Sequence, residues 1–184
     1  RSKKLSPDDV IKEADALGYQ HVEHTFEPVF DEHSKVLILG SFPSVKSREE
    51  GFYYGHPQNR FWRLLARLTD EEIPETIEEK KTLLLKHQIA IWDVVHSCDI
   101  VGSSDSSIKN VVPCELEKVL SSSPIRQIYA NGGKAWQLYH RYCEKETGRE
   151  AVKLPSTSPA NAIFTLDRLT AVWGEELFGE QNTK

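Results

Sequence analysis

Cysteine is scarce in this 184-residue sequence, which contains only Cys98, Cys114 and Cys143, all far apart. No Cys-x-x-Cys pair occurs, and no two histidines have the spacing of a zinc site. An odd, scattered set of thiols argues against a disulfide framework and favours a reduced, intracellular protein. It also argues against an iron–sulfur cluster, which usually needs four thiolates. We therefore expect no metal and no other cofactor.

Long apolar runs and excess positive charge are absent as well. No run approaches the roughly 18 apolar residues that cross a bilayer, so we expect no membrane association. The net charge is −5, which is not typical of a protein that coats nucleic acid through bulk charge. Binding to nucleic acid would therefore need a local basic patch, for which Lys46, Arg48 and Lys109 are candidates.

Apolar runs alternate with helical patterns along the chain, and its length suits one domain. The predicted strands are Val36–Leu39, Ile89–Val95, Gln127–Ala130 and Ala151–Leu154. The predicted helices are Asn59–Leu68, Pro74–His87, Pro113–Leu120, Lys134–Glu146 and a last one that follows Asn161 and ends near Leu177. Such alternation predicts crossover connections. We expect an α/β fold with three α/β/α layers around a central, mostly parallel four-stranded sheet.

The N-terminal segment carries a helix-start signal. Ser6-Pro7-Asp8-Asp9 offers a hydroxyl cap, Pro at the first helical position and acids in the first turn, and Gly18 would end the helix after Leu17. Residues 1–184 are therefore predicted to form a single domain, on which residues 1–30 pack as a helical extension.

Three unusual loops follow predicted strands, where parallel sheets bind ligands. They are residues 40–59, the polar residues 93–107, and residues 155–161. In the first loop, Tyr53 and Tyr54 form either a stacking wall for a flat ring or a simple cover for the sheet edge. The third loop, with its hydroxyls, forms either a phosphate cradle at a helix start or merely a helix cap.

Several segments at these strand ends resemble the motifs of one known family. They are Gly40–Ser44 (GSFPS), Tyr54–Trp62 (YGHPQNRFW), Trp92–Val95 (WDVV), Gly102–Asp105 (GSSD) and Ser156–Asn161 (STSPAN). Together they resemble the uracil-DNA glycosylase superfamily, and the last segment is most similar to the hypoxanthine-DNA glycosylase branch. The resemblance implies a uracil-DNA glycosylase-like fold. It also implies a monofunctional DNA glycosylase that hydrolyses the N-glycosidic bond of a deaminated base, hypoxanthine and/or uracil, in base excision repair.

The resemblance also implies a catalytic residue. Phe42 stands where many relatives have an Asn or Asp that activates water, and Phe cannot do so. Asn59 resembles the Asn credited with catalysis in the hypoxanthine branch, and would hold the water. Its alternative role is an ordinary helix cap. Backbone N–H groups of Gly40 and Ser41 are candidate donors to the departing base.

Other residues are implied to contact the base. Tyr54 would stack on it after it leaves the helix, with Phe42 and Ser156 nearby. Asp93 would accept a hydrogen bond from the ring N–H that deamination creates, or would merely cap its loop. Asp105 would steer water or order its Ser-rich loop, and the second role is favoured.

The DNA backbone is implied to contact the third loop. Ser158, with Ser156 and a helix start at Asn161, would hold phosphates, and Ala160 lies near the residue that wedges into the base stack in relatives. The implied partner is DNA with a damaged base, bound by a monomer. Two alternatives stay open: a hydrolase or transferase of free nucleotides, and an inactive DNA-binding relative.

Overall fold

The computed structural model describes residues 18–179, so the predicted helix over residues 6–17 lies outside the described residues. The strands are β1 (Gln20–Glu23), β2 (Val36–Gly40), β3 (Ile89–Asp93), β4 (Val95–Ile100), β5 (Lys109–Pro113), β6 (Gln127–Asn131) and β7 (Ala151–Leu154). The helices are α1 (Val45–Glu50), α2 (Phe61–Thr69), α3 (Ile77–Lys86), α4 (Glu117–Leu120), α5 (Gly133–Tyr142), α6 (Glu144–Thr147) and α7 (Leu166–Phe178).

A parallel sheet with the strand order β3-β2-β6-β7 forms the centre of the domain. Strands β2 and β3 are buried along their whole length, which explains their nearly unbroken apolar sequences. Helix α5 packs on β6 and β7, helix α3 packs on β3, and α2 packs against α7. The predicted α/β class and the four-stranded parallel sheet are confirmed.

The register between β2 and the edge strand β3 fixes which of their residues lie side by side. Val36 lies opposite Ile89, and Gly40 lies opposite Asp93 at the carboxyl ends of the strands. The N–H of Val94 donates to the Gly40 carbonyl, which extends the pairing by one bond. The first and second predicted loops therefore leave the sheet side by side.

A second sheet was not predicted. Strands β1, β4 and β5 form a three-stranded antiparallel sheet in which Gln20 lies opposite Ile100. The predicted strand 89–95 is confirmed over Ile89–Asp93, but its end was wrong, because a separate strand, β4, begins at Val95. Residues 95–100 of the predicted polar loop 93–107 are therefore a strand. Its sequence, VHSCDI, hides this role because Ser97 is buried in spite of its polarity.

Three further expectations need correction. The helical extension over residues 1–30 was wrong where the structure describes it, since Gln20–Glu23 is a strand that pairs with β4. The predicted helix 113–120 starts too early, because Pro113 ends β5 and only Glu117–Leu120 is helical. The predicted helix 134–146 is interrupted at Cys143, between α5 and α6.

The start of the last helix was also predicted wrongly. Helix α7 begins at Leu166, where the Thr165 hydroxyl accepts a hydrogen bond from the Arg168 N–H. Asn161 instead lies in a turn, since its N–H donates to the Ser158 carbonyl. No helix N-terminus is therefore formed at Asn161, and the phosphate-binding role that rested on it loses its basis.

Candidate active site

A cavity of about 310 Å³ opens at the carboxyl edge of the parallel sheet. Its size lies at the lower end of the range of small-ligand pockets. All three predicted loops contribute to its wall. The predicted residues that line it are Gly40, Ser41, Phe42, Tyr54, Asn59, Asp93, Ser156, Ser158 and Ala160. Asn161 is not among the lining residues.

Gly40 lets two polar groups approach the backbone closely. A Cβ atom at this position would overlap Asp93 Oδ1 and would lie 3.1 Å from the Tyr54 hydroxyl. The absence of a side chain at Gly40 therefore brings the carboxylate and the phenol together at one point of the cavity wall.

Tyr54 adopts a strained backbone conformation with φ of 53°. A non-glycine residue in the left-handed region costs about 1–3 kcal/mol, and such strain is concentrated at functional sites. One face of its ring stacks on Phe61 at 4.0 Å between centroids, with 21° between the planes. Burial and the negative charge of Asp93 raise the pKa of Tyr54, which keeps the hydroxyl protonated.

Asn59 is held in one orientation by two donors. Its Oδ1 atom accepts from the Thr157 hydroxyl at 2.9 Å and from the Phe61 N–H at 3.0 Å. A backbone N–H can only donate, so the atom that faces it must be the amide oxygen. The Asn59 Nδ2 group makes no hydrogen bond within residues 18–179. The side chain thus supports the start of α2 and also offers two donors at the cavity wall.

A buried network behind Asn59 was not predicted from the sequence. Asn131 Nδ2 donates to the Thr157 hydroxyl oxygen at 3.0 Å, and the Thr157 N–H donates to Asn131 Oδ1 at 3.0 Å. The chain of bonds therefore runs from Asn131 through Thr157 to Asn59. One sequence signal was present, since Asn131 ends a buried strand at the edge where ligands bind.

Arg60 fastens the third loop to the first. Its guanidinium donates to backbone carbonyls of Thr157, of Ser158 at 2.7 Å, of Asn161 at 3.2 Å, and of Phe164. A planar group with five donors suits this task, because it satisfies several carbonyls of one irregular loop. From the sequence, Arg60 stood out only as part of a motif.

The third loop is ordered by its own side chains. Ser156 Oγ accepts from the Ser158 N–H at 3.1 Å, and Ser158 Oγ accepts from the Ala160 N–H at 3.2 Å. The Asn161 side chain donates to the Ser156 carbonyl at 3.0 Å. Asn161 therefore shapes the loop, while Ser156 and Ser158 lie at the cavity.

Ser41 and Asp105 join the first loop to the second. The Ser41 hydroxyl donates to Asp105 Oδ1 at 2.9 Å, and both residues line the cavity. Protein atoms crowd the carboxylate although Asp105 as a whole lies exposed at the rim. This loss of hydration raises the pKa of Asp105, while the Ser41 bond and the charge of Lys134 oppose the shift.

Asp93 is almost completely buried, with 4% of its surface exposed. Its Oδ2 atom accepts from His24 Nε2 at 2.8 Å, and His24 is buried as well. The partner residue was missed, because it lies 69 positions away in a segment predicted to be helical. Asp93 thus does more than cap a loop, since its second oxygen stays at the cavity wall beside Gly40.

The candidate basic residues already have partners. Arg48 donates to the Gly102 carbonyl and lies 5.7 Å from the Phe42 ring, while Lys109 lies over Tyr19. Lys46 lies 3.8 Å from Glu50. Residues 18–179 contain no group of three or more His, Cys, Asp or Glu side chains placed to hold a metal. No helix in this part of the chain is long and apolar enough to cross a membrane.

Comparison with known proteins identifies the family. The model of the Uracil DNA glycosylase superfamily matches residues 27–175, and the chain belongs to this superfamily. The prediction of a DNA glycosylase is thereby confirmed, and its substrate is DNA.

Two curated relatives and one solved structure are similar over most of their length. A hypoxanthine DNA glycosylase of Methanosarcina acetivorans is 36% identical over 149 residues, 80% of this chain and 93% of the relative. Another, from Methanosarcina barkeri, is 32% identical over 82% of this chain and 94% of its own. The solution NMR structure of a candidate uracil DNA glycosylase from Methanosarcina acetivorans has a TM-score of 0.68 at 34% identity. It covers 83% of this chain and 94% of its own.

Proposed function

We propose that this protein hydrolyses the N-glycosidic bond of a deaminated base in DNA, with hypoxanthine as the preferred base and uracil as the second. The observation that carries the proposal is that one cavity presents both a hydrogen-bond acceptor and a hydrogen-bond donor to a ligand. Asp93 presents an acceptor oxygen, and Asn59 presents an amide donor. The names of the two curated relatives support hypoxanthine.

Asp93 recognises the edge of the base. A base within a duplex is out of reach, so the target leaves the stack and enters the cavity. Hypoxanthine and uracil both present a ring N–H beside a carbonyl, and the Asp93 carboxylate accepts from that N–H. Adenine presents a ring acceptor at the same place, which the carboxylate repels. Phe42 and the free face of Tyr54 contact the ring of the base, next to Ser156.

Asn59 assists the departure of the base. Because its Oδ1 atom is occupied by two donors, the free Nδ2 group can donate but the amide cannot accept a proton from water. It donates to the base as negative charge develops there, or to the oxygen of the attacking water. The backbone N–H groups of Gly40 and Ser41 assist it. This assignment refines the prediction, in which Asn59 simply held the water.

Water attacks the sugar as oxocarbenium character builds up. The second oxygen of Asp105 is the acceptor for the water proton, since its first oxygen is bonded to Ser41. No lysine occurs among the described residues that line the cavity, and the proposed reaction is hydrolysis by water without an imine to the sugar. The product is an abasic site in an intact strand.

The third loop contacts the DNA. Ser158 and the exposed backbone around Ala160 bind phosphate, while Asn161 holds the loop in shape. Ala160 is too small to fill the space left by an extruded base. The neighbouring Ile163 has 77% of its surface exposed, which is unusual for so apolar a side chain, and it serves as the wedge.

The test uses oligonucleotides that contain deoxyinosine, deoxyuridine, deoxyxanthosine or ethenodeoxyadenosine. We expect strand breaks after alkali, and only after alkali, with deoxyinosine cleaved fastest. No alkali-sensitive product from any substrate would overturn the proposal and favour an inactive DNA-binding relative. Release of hypoxanthine from inosine monophosphate, without any from DNA, would favour a hydrolase of free nucleotides.

We further propose that the protein acts as a monomer inside the cell. Its three cysteines are buried and unpaired, which fits a reducing compartment. One cavity formed by one chain contains the groups proposed to bind the base and to assist its departure. Light scattering of the purified protein should give a mass near 21.0 kDa, and a stable dimer would contradict this part of the proposal.

A further inference from the structure

A buried pair formed by His24 and Asp93 lies directly behind the cavity. The 2.8 Å bond joins His24 Nε2 to Asp93 Oδ2, and the two side chains have only 1% and 5% of their surfaces exposed. Asp93 Oδ1 lies on the other side of the carboxylate, beside Gly40 and the Tyr54 hydroxyl. One oxygen is therefore used within the protein, and the other is free to bind a ligand.

The surroundings of His24 determine which nitrogen carries its proton. Its ring is enclosed by Phe26, Phe42 and Tyr53, with centroids 4.5, 6.2 and 5.9 Å away. Nδ1 makes no hydrogen bond within the described part of the chain. A proton on Nδ1 would be buried without an acceptor, whereas a proton on Nε2 is bonded to the carboxylate. The tautomer that carries its proton on Nε2 is therefore the one that fits this geometry.

The unexpected second sheet supplies His24. Strand β1 pairs with β4, and the His24 N–H donates to the His96 carbonyl at 2.7 Å, so the residue is fixed at the end of this sheet. Strand β4 itself continues from the end of β3, which carries Asp93. The antiparallel sheet thus holds a donor against the back of a carboxylate that the parallel sheet presents to the cavity.

We propose that His24 is a positioning residue that sets base selectivity by holding Asp93 through Oδ2, so that Oδ1 meets the ring N–H of a deaminated base. This inference rests on the base-recognition role proposed above for Asp93. It also gives Phe42 a role: the residue that cannot activate water forms one wall around the His24 ring.

The test compares two bases that differ only at the edge that Asp93 contacts. Deoxyinosine has a ring N–H and a carbonyl, whereas deoxynebularine, its unsubstituted purine analogue, has neither. The single-turnover rate of excision is measured for each in the same oligonucleotide. The ratio of the two rates, compared between variants, cancels the intrinsic reactivity of the bases. We expect His24→Phe to lower the ratio by roughly 10-fold, the effect of one hydrogen bond to a charged group.

Three variants separate positioning from folding. His24→Gln keeps an amide donor near the position of Nε2 and should stay within about threefold of the wild-type ratio, since the bond is retained. His24→Asn has a shorter side chain that does not reach Asp93, so its ratio should fall like that of His24→Phe. His21→Phe is the matched control, because His21 forms a similar 2.9 Å pair with Asp99 but is exposed and lies outside the cavity. Thermal unfolding of each variant identifies those that are folded.

The outcomes are distinct. A wild-type ratio in folded His24→Phe, or in His24→Asn if the Phe variant does not fold, overturns the inference. Asp93→Asn tests the underlying role of Asp93: an unchanged ratio there means that the base-recognition proposal itself fails. A ratio that falls in Asp93→Asn but not in the His24 variants means that only the inference about His24 fails.

Discussion

The Thr157 hydroxyl donates to the Asn59 side-chain oxygen across 2.9 Å, and this bond helps to fix which end of the amide faces the cavity. With the Phe61 N–H as the second donor, the oxygen is fully occupied and the nitrogen is left for the substrate. In the proposed reaction Asn59 acts through donation, which suits the stabilisation of negative charge on a leaving base. The buried Asn131 maintains this arrangement from behind.

Removal of the Thr157 hydroxyl should weaken both stability and catalysis. Thr157→Val leaves the buried Asn131 amide without its acceptor and removes one of the two donors to Asn59 Oδ1, and a buried unpaired group costs about 1–3 kcal/mol. We expect a lower free energy of unfolding in urea and a single-turnover rate that falls by about one order of magnitude. Thr157→Ser keeps the hydroxyl and serves as the control. Equal rates for the Val and Ser variants would show that the bond to Asn59 has no catalytic importance.

A methyl group at Gly40 should disturb the cavity. In Gly40→Ala the new Cβ would overlap Asp93 Oδ1, so the carboxylate or the backbone must move. A displacement of about 1 Å at a reacting centre can reduce the rate by about 100-fold. Gly133→Ala is the matched control, because a Cβ atom at that position would have no described atom of a neighbouring segment within 4 Å. Full activity of Gly40→Ala would contradict the close packing of Gly40, Asp93 and Tyr54.

The pH dependence of the rate should reveal Asp105. Its pKa is raised, so on acidification it takes up a proton and loses its acceptor role at a higher pH than an ordinary Asp. The excision rate of the wild type should therefore fall as the pH decreases through this raised pKa. Asp105→Asn should be slower at every pH, and its rate should no longer show this acidic decrease. Asp99→Asn is the control, since the pKa of Asp99 is lowered and the residue lies outside the cavity. An unchanged profile in Asp105→Asn would exclude the residue from the reaction.

Stability gives an independent check on Asp105. Between the ordinary and the raised pKa, the folded state binds a proton that the unfolded state has released. Stability contributed by this group therefore decreases as the pH rises through that window and is constant above it. Asp105→Asn should remove this slope, as measured by the denaturation midpoint at several pH values.

The exposed Ile163 should contribute to DNA binding and not to folding. Ile163→Ala removes the proposed wedge, so we expect it to bind duplex DNA that contains deoxyinosine more weakly than the wild type does. Relative to the wild type, its excision rate should fall more on duplex DNA than on single-stranded DNA. Ile73→Ala is the control, because Ile73 is also exposed, at 54%, but lies outside the cavity loops. Equal behaviour of the two variants would leave the wedge unassigned.

Much of the site was predictable because local sequence determines it. Continuous apolar runs predicted the four parallel strands, and the family resemblance of the loops at their ends implied ten site residues, of which nine line one cavity. Features that depend on distant segments were not predictable. The contact between His24 and Asp93 spans 69 positions, and that between Asn59 and Thr157 spans 98. Strand β4 was missed because its polar residues conceal the two-residue alternation of a strand.

The release of free hypoxanthine from a deoxyinosine-containing oligonucleotide tests the central claim most directly. Under single-turnover conditions, wild-type protein should release one equivalent of the base and leave an abasic, unbroken strand. Asn59→Ala and Asn59→Asp both lack the amide donor, and each should be slower by about 100-fold or more. Asn59→Asp keeps an oxygen for the Thr157 and Phe61 donors and should unfold at a temperature near that of the wild type, whereas Asn59→Ala loses both bonds and should be less stable. Wild-type rates in a folded Asn59→Asp variant, or no hypoxanthine released by the wild-type protein, would contradict the account.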